Sequence, residues 1–172
     1  MFLDGLRQNL LKTKVKNIHK STEQISENTR GEGVGFLVDS REFQDHKKLE
    51  ELMLRVCKSG SNNLVVFSAE KNLEENEDHL FLSKKDFSIY GSLKNAKIQQ
   101  FIAQPFKVLV SYYRTENVFL DFVSAQSEAL FKVGISPDSS DFNDLTIHSK
   151  TEELQVFENE LLKYLKLLNR ID

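Results

Sequence analysis

The sequence predicts an α/β fold, with a Rossmann-like, doubly wound and mostly parallel sheet of about five or six strands, flanking helices and a long N-terminal helix. Three observations predict this class. Short apolar runs alternate along the chain with segments whose apolar residues recur at helical spacing. Residues 106–113 are apolar on both faces, which is typical of a central parallel strand. The length of 172 residues suits a single domain, residues 1–172, with one core.

The first segment has the pattern of an amphipathic helix, which we expect over residues 1–28. Residues 28–33 (NTRGEG) then favour a helix end, so the sheet and its helices should occupy residues 33–172. Basic residues occupy the polar face of the helix. The apolar residues that share its other face are Leu3, Leu6, Leu10, Leu11, Val15, Ile18 and Ile25.

The next elements predict a strand, a helix and a second strand. Residues 34–38 are a short apolar run, and Leu49 and Leu52 begin the apolar face of a helix that Gly60 ends. Residues 64–67 are again an apolar run of strand type. This order requires a parallel pair with a right-handed crossover. Residues 80–82 are expected to form a short or edge strand.

A mostly buried helix is predicted after the strand at 106–113, with Thr115 as its cap. Apolar residues cover most of the circumference of this helix. Asp121, Ser124 and Glu128 share one face, and we expect that face to be exposed to solvent. Its apolar residues should pack on the sheet.

The C-terminal part predicts two more short strands and a last helix. The strands are expected at residues 131–135 and 145–147. Ser149 and Glu152 have the spacing of a capping box, which predicts that the last helix opens there. Its apolar stripe is too short for a coiled coil.

Composition restricts the class of protein. Hydrophobic residues make up 40% of the chain and charged residues 28%, which is typical of a globular protein, and no apolar run is long enough for a membrane span. The start lacks the apolar block of a secretory signal, so we expect a cytoplasmic location. The net charge of −3 and the scattered basic residues give no indication of nucleic-acid binding. Cys57, the single cysteine, lies beside an apolar helix face and is expected to pack as a small hydrophobe.

Known catalytic and cofactor motifs are not found in the sequence. Gly31, Gly33 and Gly35 precede their strand, whereas phosphate-binding glycines follow a strand and open a helix, so we interpret them as turn glycines. The histidines are scattered, with no pair at the spacing of metal ligands on a helix. We therefore predict no catalytic residue, no metal site and no cofactor.

Any ligand site should lie where the parallel strands end, because ligands of open α/β sheets bind at that edge. The candidate ligand-binding residues there are Asp39, Ser40, Tyr113 and Arg114. Arg114 could hold an anion and Tyr113 could stack on a ligand. The alternative for Arg114 is that it only flanks the cap of the following helix.

Three segments resemble a family of small bacterial proteins of unknown function. They are residues 81–86 (FLSKKD), 105–113 (PFKVLVSYY) and 127–134 (SEALFKVG). The resemblance covers nearly the whole chain and implies a fold, but no activity, cofactor or catalytic residue. The family pattern has an acidic residue after Phe106 and an asparagine before the tyrosine pair, where this chain has Lys107 and Ser111.

Residues 106–135 are also similar to part of the sugar-nucleotide-binding half of two-domain glycosyltransferases, by analogy of fold. Our leading hypothesis is a non-enzymatic module that binds a protein partner or a second copy of the chain through its terminal helices. The alternative is a small-molecule site, for a nucleotide or a phosphorylated sugar, at the strand ends. A weaker third hypothesis is contact of the N-terminal helix with a membrane surface.

Overall fold

The computed structural model describes residues 2–19, 31–58, 60–69, 79–135 and 142–171. Strands and helices alternate along most of these residues, as predicted. Each predicted strand is present, with ends that differ from the prediction by one or two residues at most. The elements are α1 (Phe2–His19), β1 (Val34–Asp39), α2 (His46–Val56), β2 (Asn63–Phe67), β3 (Leu80–Leu82), a 3-10 turn (Lys84–Asp86), α3 (Ala96–Ala103), β4 (Val108–Tyr112), α4 (Val118–Gln126), β5 (Lys132–Gly134), β6 (Leu145–Thr146) and α5 (Leu154–Leu167).

The strands of the described residues form one six-stranded sheet in the order β3-β2-β1-β4-β5-β6. All of its neighbouring strands are parallel. In the centre of the sheet Phe36 pairs with Leu64 on one side and Val110 on the other. The predicted Rossmann-like sheet is therefore confirmed, with β4 inside it and β3 at one edge.

Helices cover both faces of the sheet, which makes it doubly wound. On one face α2 and α5 pack around Phe36 and Tyr112. On the other face α1, α3 and α4 pack around Leu37 and Leu109. Alternate residues of each central strand are therefore buried in opposite layers, and this explains why both faces of β1 and β4 are apolar.

The N-terminal helix α1 packs on its own domain. Leu11 is completely buried in the layer formed with α3 and α4. Hydrogen bonds fix the helix further, because Arg7 donates to the carbonyl of Lys84 at 2.6 Å and Lys14 donates to that of Gly91 at 2.9 Å. The predicted helix was longer, and its residues 20–28 lie outside the described residues. In the part of the chain that is described, no helix is long and apolar enough to cross a membrane.

Two predicted helix caps are wrong. Asn117, not Thr115, caps α4, because its side-chain oxygen accepts the amides of Phe119 and Leu120. The helix α5 begins at Leu154, after a turn in which the amide of Glu153 donates to the carbonyl of Lys150. Ser149 lies before that turn and is too early in the chain to act as the cap.

The glycines before and within β1 are explained by packing. Gly33 has a φ of 72°, and a Cβ atom there would lie 2.1 Å from the carbonyl oxygen of Ser61. A Cβ atom at Gly35 would lie 2.9 Å from Leu109 Cδ1 and 3.0 Å from Phe106 Cδ2, so these side chains would have to shift. Both glycines lie at the amino end of β1, opposite the edge where ligands bind in such sheets. The turn interpretation fits Gly33, which precedes the strand, and is wrong for Gly35, which lies within β1.

Candidate functional site

A pocket of about 270 Å³ lies at the carboxyl edge of the sheet. It is placed beside the topological switch point, where the chain leaves the neighbouring strands β1 and β4 toward opposite sides of the sheet. The pocket is lined by side chains of α1, the β1–α2 loop, β2, the 3-10 turn and the segment that leads into α4. They include Lys12, Arg41, Phe67, Lys84, Glu116 and Asn117.

Asp39, the last residue of β1, is completely buried behind this pocket. Its carboxylate accepts hydrogen bonds from Arg41 Nε at 2.9 Å and from Asn117 Nδ2 at 2.7 Å. Burial by itself would raise the pKa of Asp39, but the hydrogen bonds from Arg41 and Asn117 outweigh it and hold the pKa below its usual range. Asp39 is thus an ionised anchor for two residues that line the pocket.

Arg41 extends from this anchor to the surface. Its guanidinium lies over the ring of Phe67, 5.6 Å from the ring centre, and about half of the side chain is exposed. A planar guanidinium held on one edge by a buried carboxylate still presents donors on its other edge. Arg41 is therefore placed to bind an anion in the pocket.

Two lysines approach the pocket from other segments. Lys12 on α1 pairs with Glu116 at 2.9 Å, and Lys84 in the 3-10 turn lies 3.6 Å from Asp4. About half of each lysine side chain is exposed. Such exposed ion pairs contribute little free energy, so both ammonium groups can turn to a ligand at small cost.

The start of α4 forms another side of the pocket. Asn117, Val118 and Phe119 line it. Phe119 stacks on Phe67 with 5.6 Å between ring centres, which supplies an apolar wall. The amino end of a helix carries partial positive charge, so this side of the pocket also favours an anion.

Comparison with known proteins gives one match. A sequence model of the family of unknown function DUF6913 matches residues 6–168, from α1 to α5. The chain belongs to this family. No curated protein and no solved structure matches it. The predicted resemblance is therefore confirmed, and DUF6913 membership brings no activity or ligand with it.

The four residues predicted for ligand binding have different positions in this DUF6913 chain. Asp39 lies behind the pocket, and Ser40 is half-buried, with its amide bonded to the carbonyl of Phe67. Arg114 is exposed, and Glu42 accepts its amide. The ring of Tyr113 is only 1% exposed, so the expectation that it stacks on a ligand is wrong for this structure.

Tyr113 belongs to a polar seam between β4 and α4. Its hydroxyl donates to Asp121 Oδ1 at 2.9 Å, and Ser111 and Ser124 share a hydrogen bond of 3.2 Å. The predicted solvent-exposed face of α4 is therefore wrong for Asp121 and Ser124, which are buried. Glu128 is exposed as expected, but it lies beyond the end of α4. Asp121 and Ser124 are buried because they face the sheet, where they bond to Tyr113 and Ser111.

The histidines are less scattered than the sequence suggests. The rings of His46 and His79 lie 5.5 Å apart, and His79 Nε2 is 2.8 Å from Glu50 Oε1. Burial and the neighbouring His79 lower the pKa of His46. Within the described residues, no group of three histidine, cysteine or acidic side chains is arranged to hold a metal ion.

Sequence reasoning missed the residues that line the pocket. Arg41 and Asn117 had a local signal, since both lie within a few residues of a predicted strand end. Lys12 and Lys84 had none, because the side chains of an N-terminal helix and of a turn after an edge strand meet only through packing.

Proposed function

We propose that the protein binds a small anionic molecule that carries a phosphate group, in the pocket at the switch point. One observation supports this proposal above the others. Lys12, Arg41 and Lys84 come from three segments and all line one pocket. Anion binding needs several mobile or oriented donors that can reach one point.

The dimensions of the pocket favour a ligand the size of a phosphorylated sugar. Its volume of about 270 Å³ is slightly below the usual range for small-molecule sites, roughly 300–1,000 Å³, so it suits a small ligand. A dinucleotide would need a longer cleft. The apolar wall of Phe67 and Phe119 suits the carbon face of a sugar, while the cations suit its phosphate.

The charged residues have distinct tasks in this proposal. Arg41 is fixed by Asp39 and sets the position of the phosphate, since its geometry is fixed before the ligand arrives. Lys12 and Lys84 leave their exposed partners and close on the phosphate. Asp39 acts as a positioning residue and does not touch the ligand.

Thermal unfolding with a panel of sugar phosphates and inorganic phosphate tests the proposal. A ligand at about 100 times its dissociation constant adds ~2.7 kcal/mol to the stability. For a chain of this length that corresponds to a rise in midpoint of roughly 5–10 °C. The double variant Lys12→Met with Lys84→Met should fold and lose most of this rise.

Lys97→Met is the matched control, because Lys97 is an exposed lysine on α3 that does not line this pocket. It should respond as the unaltered chain does. The proposal is contradicted if no phosphate compound shifts the unaltered chain, or if the double variant retains the full shift.

A second candidate function is self-association through α5, and the exposed apolar residues near its end favour it. Leu167 is 68% exposed, and Tyr164 and Leu168 are also among the exposed large apolar residues. Both terminal helices pack on their own domain, α1 through Leu11 and α5 through Phe157 and Leu161, so only their exposed apolar residues are open to a partner. Tyr164, Leu167 and Leu168 recur at the spacing of one helical face, and exposed apolar residues grouped in this way often mark an interface.

Sedimentation equilibrium over a range of concentrations tests this candidate. We expect a dimer that the double variant Leu167→Glu with Leu168→Glu converts to a monomer. Leu54→Glu, at an exposed leucine of α2, is the control and should remain dimeric. A monomer at every concentration of the unaltered chain would exclude this function.

A further inference from the structure

Glu42 is bound by its own chain in the way that an external anion would be bound. Its two carboxylate oxygens accept consecutive backbone amides of the β4–α4 loop. The Arg114 amide lies 2.9 Å from Oε2, and the Thr115 amide lies 2.7 Å from Oε1. Successive amides that converge on one anion form a nest, a backbone feature that binds phosphate and carboxylate groups.

The bound carboxylate lies next to the proposed phosphate site. Hydrogen bonding to Asp39 raises the pKa of Arg41, and the nearby negative charge of Glu42 adds to this effect. Arg41 therefore both lines the pocket and interacts electrostatically with the carboxylate of Glu42. The exposed side chain of Arg114 adds a further positive charge to this loop.

The contact of Glu42 is of a kind that an external anion can replace. Glu42 is only half-buried, and both of its hydrogen bonds are exposed to solvent. Water competes with such bonds, and the side chain must be held in one conformation to make them. The β4–α4 loop also keeps a second tether when Glu42 leaves, because Asn117 remains bonded to buried Asp39.

We propose that Glu42 is an internal competitor of the ligand, and that its carboxylate occupies a second anion subsite formed by the amides of Arg114 and Thr115. The inference rests on the proposed function and extends it. The ligand class is then a small molecule with two anionic groups, such as a sugar bisphosphate or a phosphorylated sugar acid. One group binds at Lys12, Arg41 and Lys84, and the other displaces Glu42.

Amide chemical shifts of the full chain, titrated with inorganic phosphate, report on the two subsites separately. Arg114 and Thr115 report on the second subsite, and Val118 and Phe119 report on the pocket. An internal competitor lowers the fraction of molecules that can bind, and its removal raises the apparent affinity by the inverse of that fraction. In Glu42→Ala we expect saturable shifts of Arg114 and Thr115 at about tenfold lower phosphate than in the unaltered chain.

The control Glu51→Ala removes an exposed carboxylate of α2 and should behave as the unaltered chain does. Glu42→Gln keeps an uncharged oxygen that can accept the amide hydrogen bonds, so it preserves the loop if Glu42→Ala unfolds. Its affinity for phosphate should lie between those of the unaltered chain and Glu42→Ala. If the pocket amides of these variants respond while Arg114 and Thr115 do not, Glu42 is only a tether and this inference fails alone. If neither set responds in any variant, the proposed function fails as well.

Discussion

Asp121 shows how a single buried residue can link stability to pH. Its side chain is buried between α4 and the end of β4, and the hydroxyl of Tyr113 donates one hydrogen bond to it. An ionised carboxylate needs more donors than one phenol provides. Burial therefore raises the pKa of Asp121 to about 7, with the hydrogen bond from Tyr113 opposing the rise.

The raised pKa predicts that stability falls as pH rises. The folded state holds a proton on Asp121 up to about pH 7, whereas the unfolded chain loses it near the ordinary aspartate pKa of 3.8. The contribution of Asp121 to stability is thus highest below its pKa in the unfolded chain. It is lost as the pH rises through its pKa in the folded state. The side chain introduced in the variant Asp121→Asn has no proton to lose, so this loss is absent. The difference in free energy of unfolding, variant minus unaltered chain, should therefore be about 2–3 kcal/mol larger at pH 8 than at pH 5.

Urea denaturation of both chains at the two pH values measures this difference. Other titrating groups are common to both chains and cancel in the comparison. An equal response of the two chains to pH would show that Asp121 is ionised throughout that range.

For single residues, the sequence predicted positions better than it predicted roles. Asp39 and Arg114 lie at the carboxyl edge as predicted, since the end of a strand is a local feature. The stacking role of Tyr113 was wrong because Tyr112 and Tyr113 are both buried, Tyr112 in the layer with α5 and Tyr113 in the layer with α4. Helices cover both faces of the sheet. The sequence of a strand does not specify which helix covers a given position.

At the scale of elements, Asn117 joins β1 to α4. Its side-chain oxygen caps α4, while its side-chain amide donates to the buried Asp39. One residue therefore fixes the start of a helix and the position of the pocket anchor. The helix α4 is held at the switch point by this pair of contacts.

Asn117→Ala should lower the free energy of unfolding by more than an ordinary cap residue does. Loss of a cap costs about 0.5–2 kcal/mol. The buried carboxylate of Asp39 also loses a donor, which costs a further ~1–3 kcal/mol. Asn117→Asp keeps a capping oxygen but places a second carboxylate beside Asp39, so it should also be less stable at neutral pH. A loss below about 0.5 kcal/mol in the alanine variant, by urea denaturation, would contradict this account.

For the whole molecule, α1 completes one of the two helical layers. It packs against α4 and brings Lys12 to the pocket. Its burial of Leu11 makes it part of the core, although the sequence left open whether it packs on its own domain or on a partner. The location in the cell, the single-domain organisation and the similarity to a glycosyltransferase half stay predictions.

Leu11→Ala should lower the stability of the whole fold by about 2–5 kcal/mol, because it removes a fully buried leucine from the layer. Leu3→Ala, at a leucine of the same helix that is 54% exposed, should change it by less than about 0.5 kcal/mol. Thermal and urea unfolding of the two variants measure the difference. Equal stabilities would show that α1 is not part of the cooperative core.

The sequence by itself determined the fold class, the strands and the edge of the sheet where a site belongs. Periodicity, strand length and the order of elements are local properties, and the rules of parallel sheets convert them into topology. Tertiary structure alone decided which side chains meet at that edge. Lys12, Arg41 and Lys84 come from three distant segments, and they converge because of how α1 and the edge of the sheet pack together. No local pattern specifies that packing, because it depends on the complementary surfaces of several elements at once.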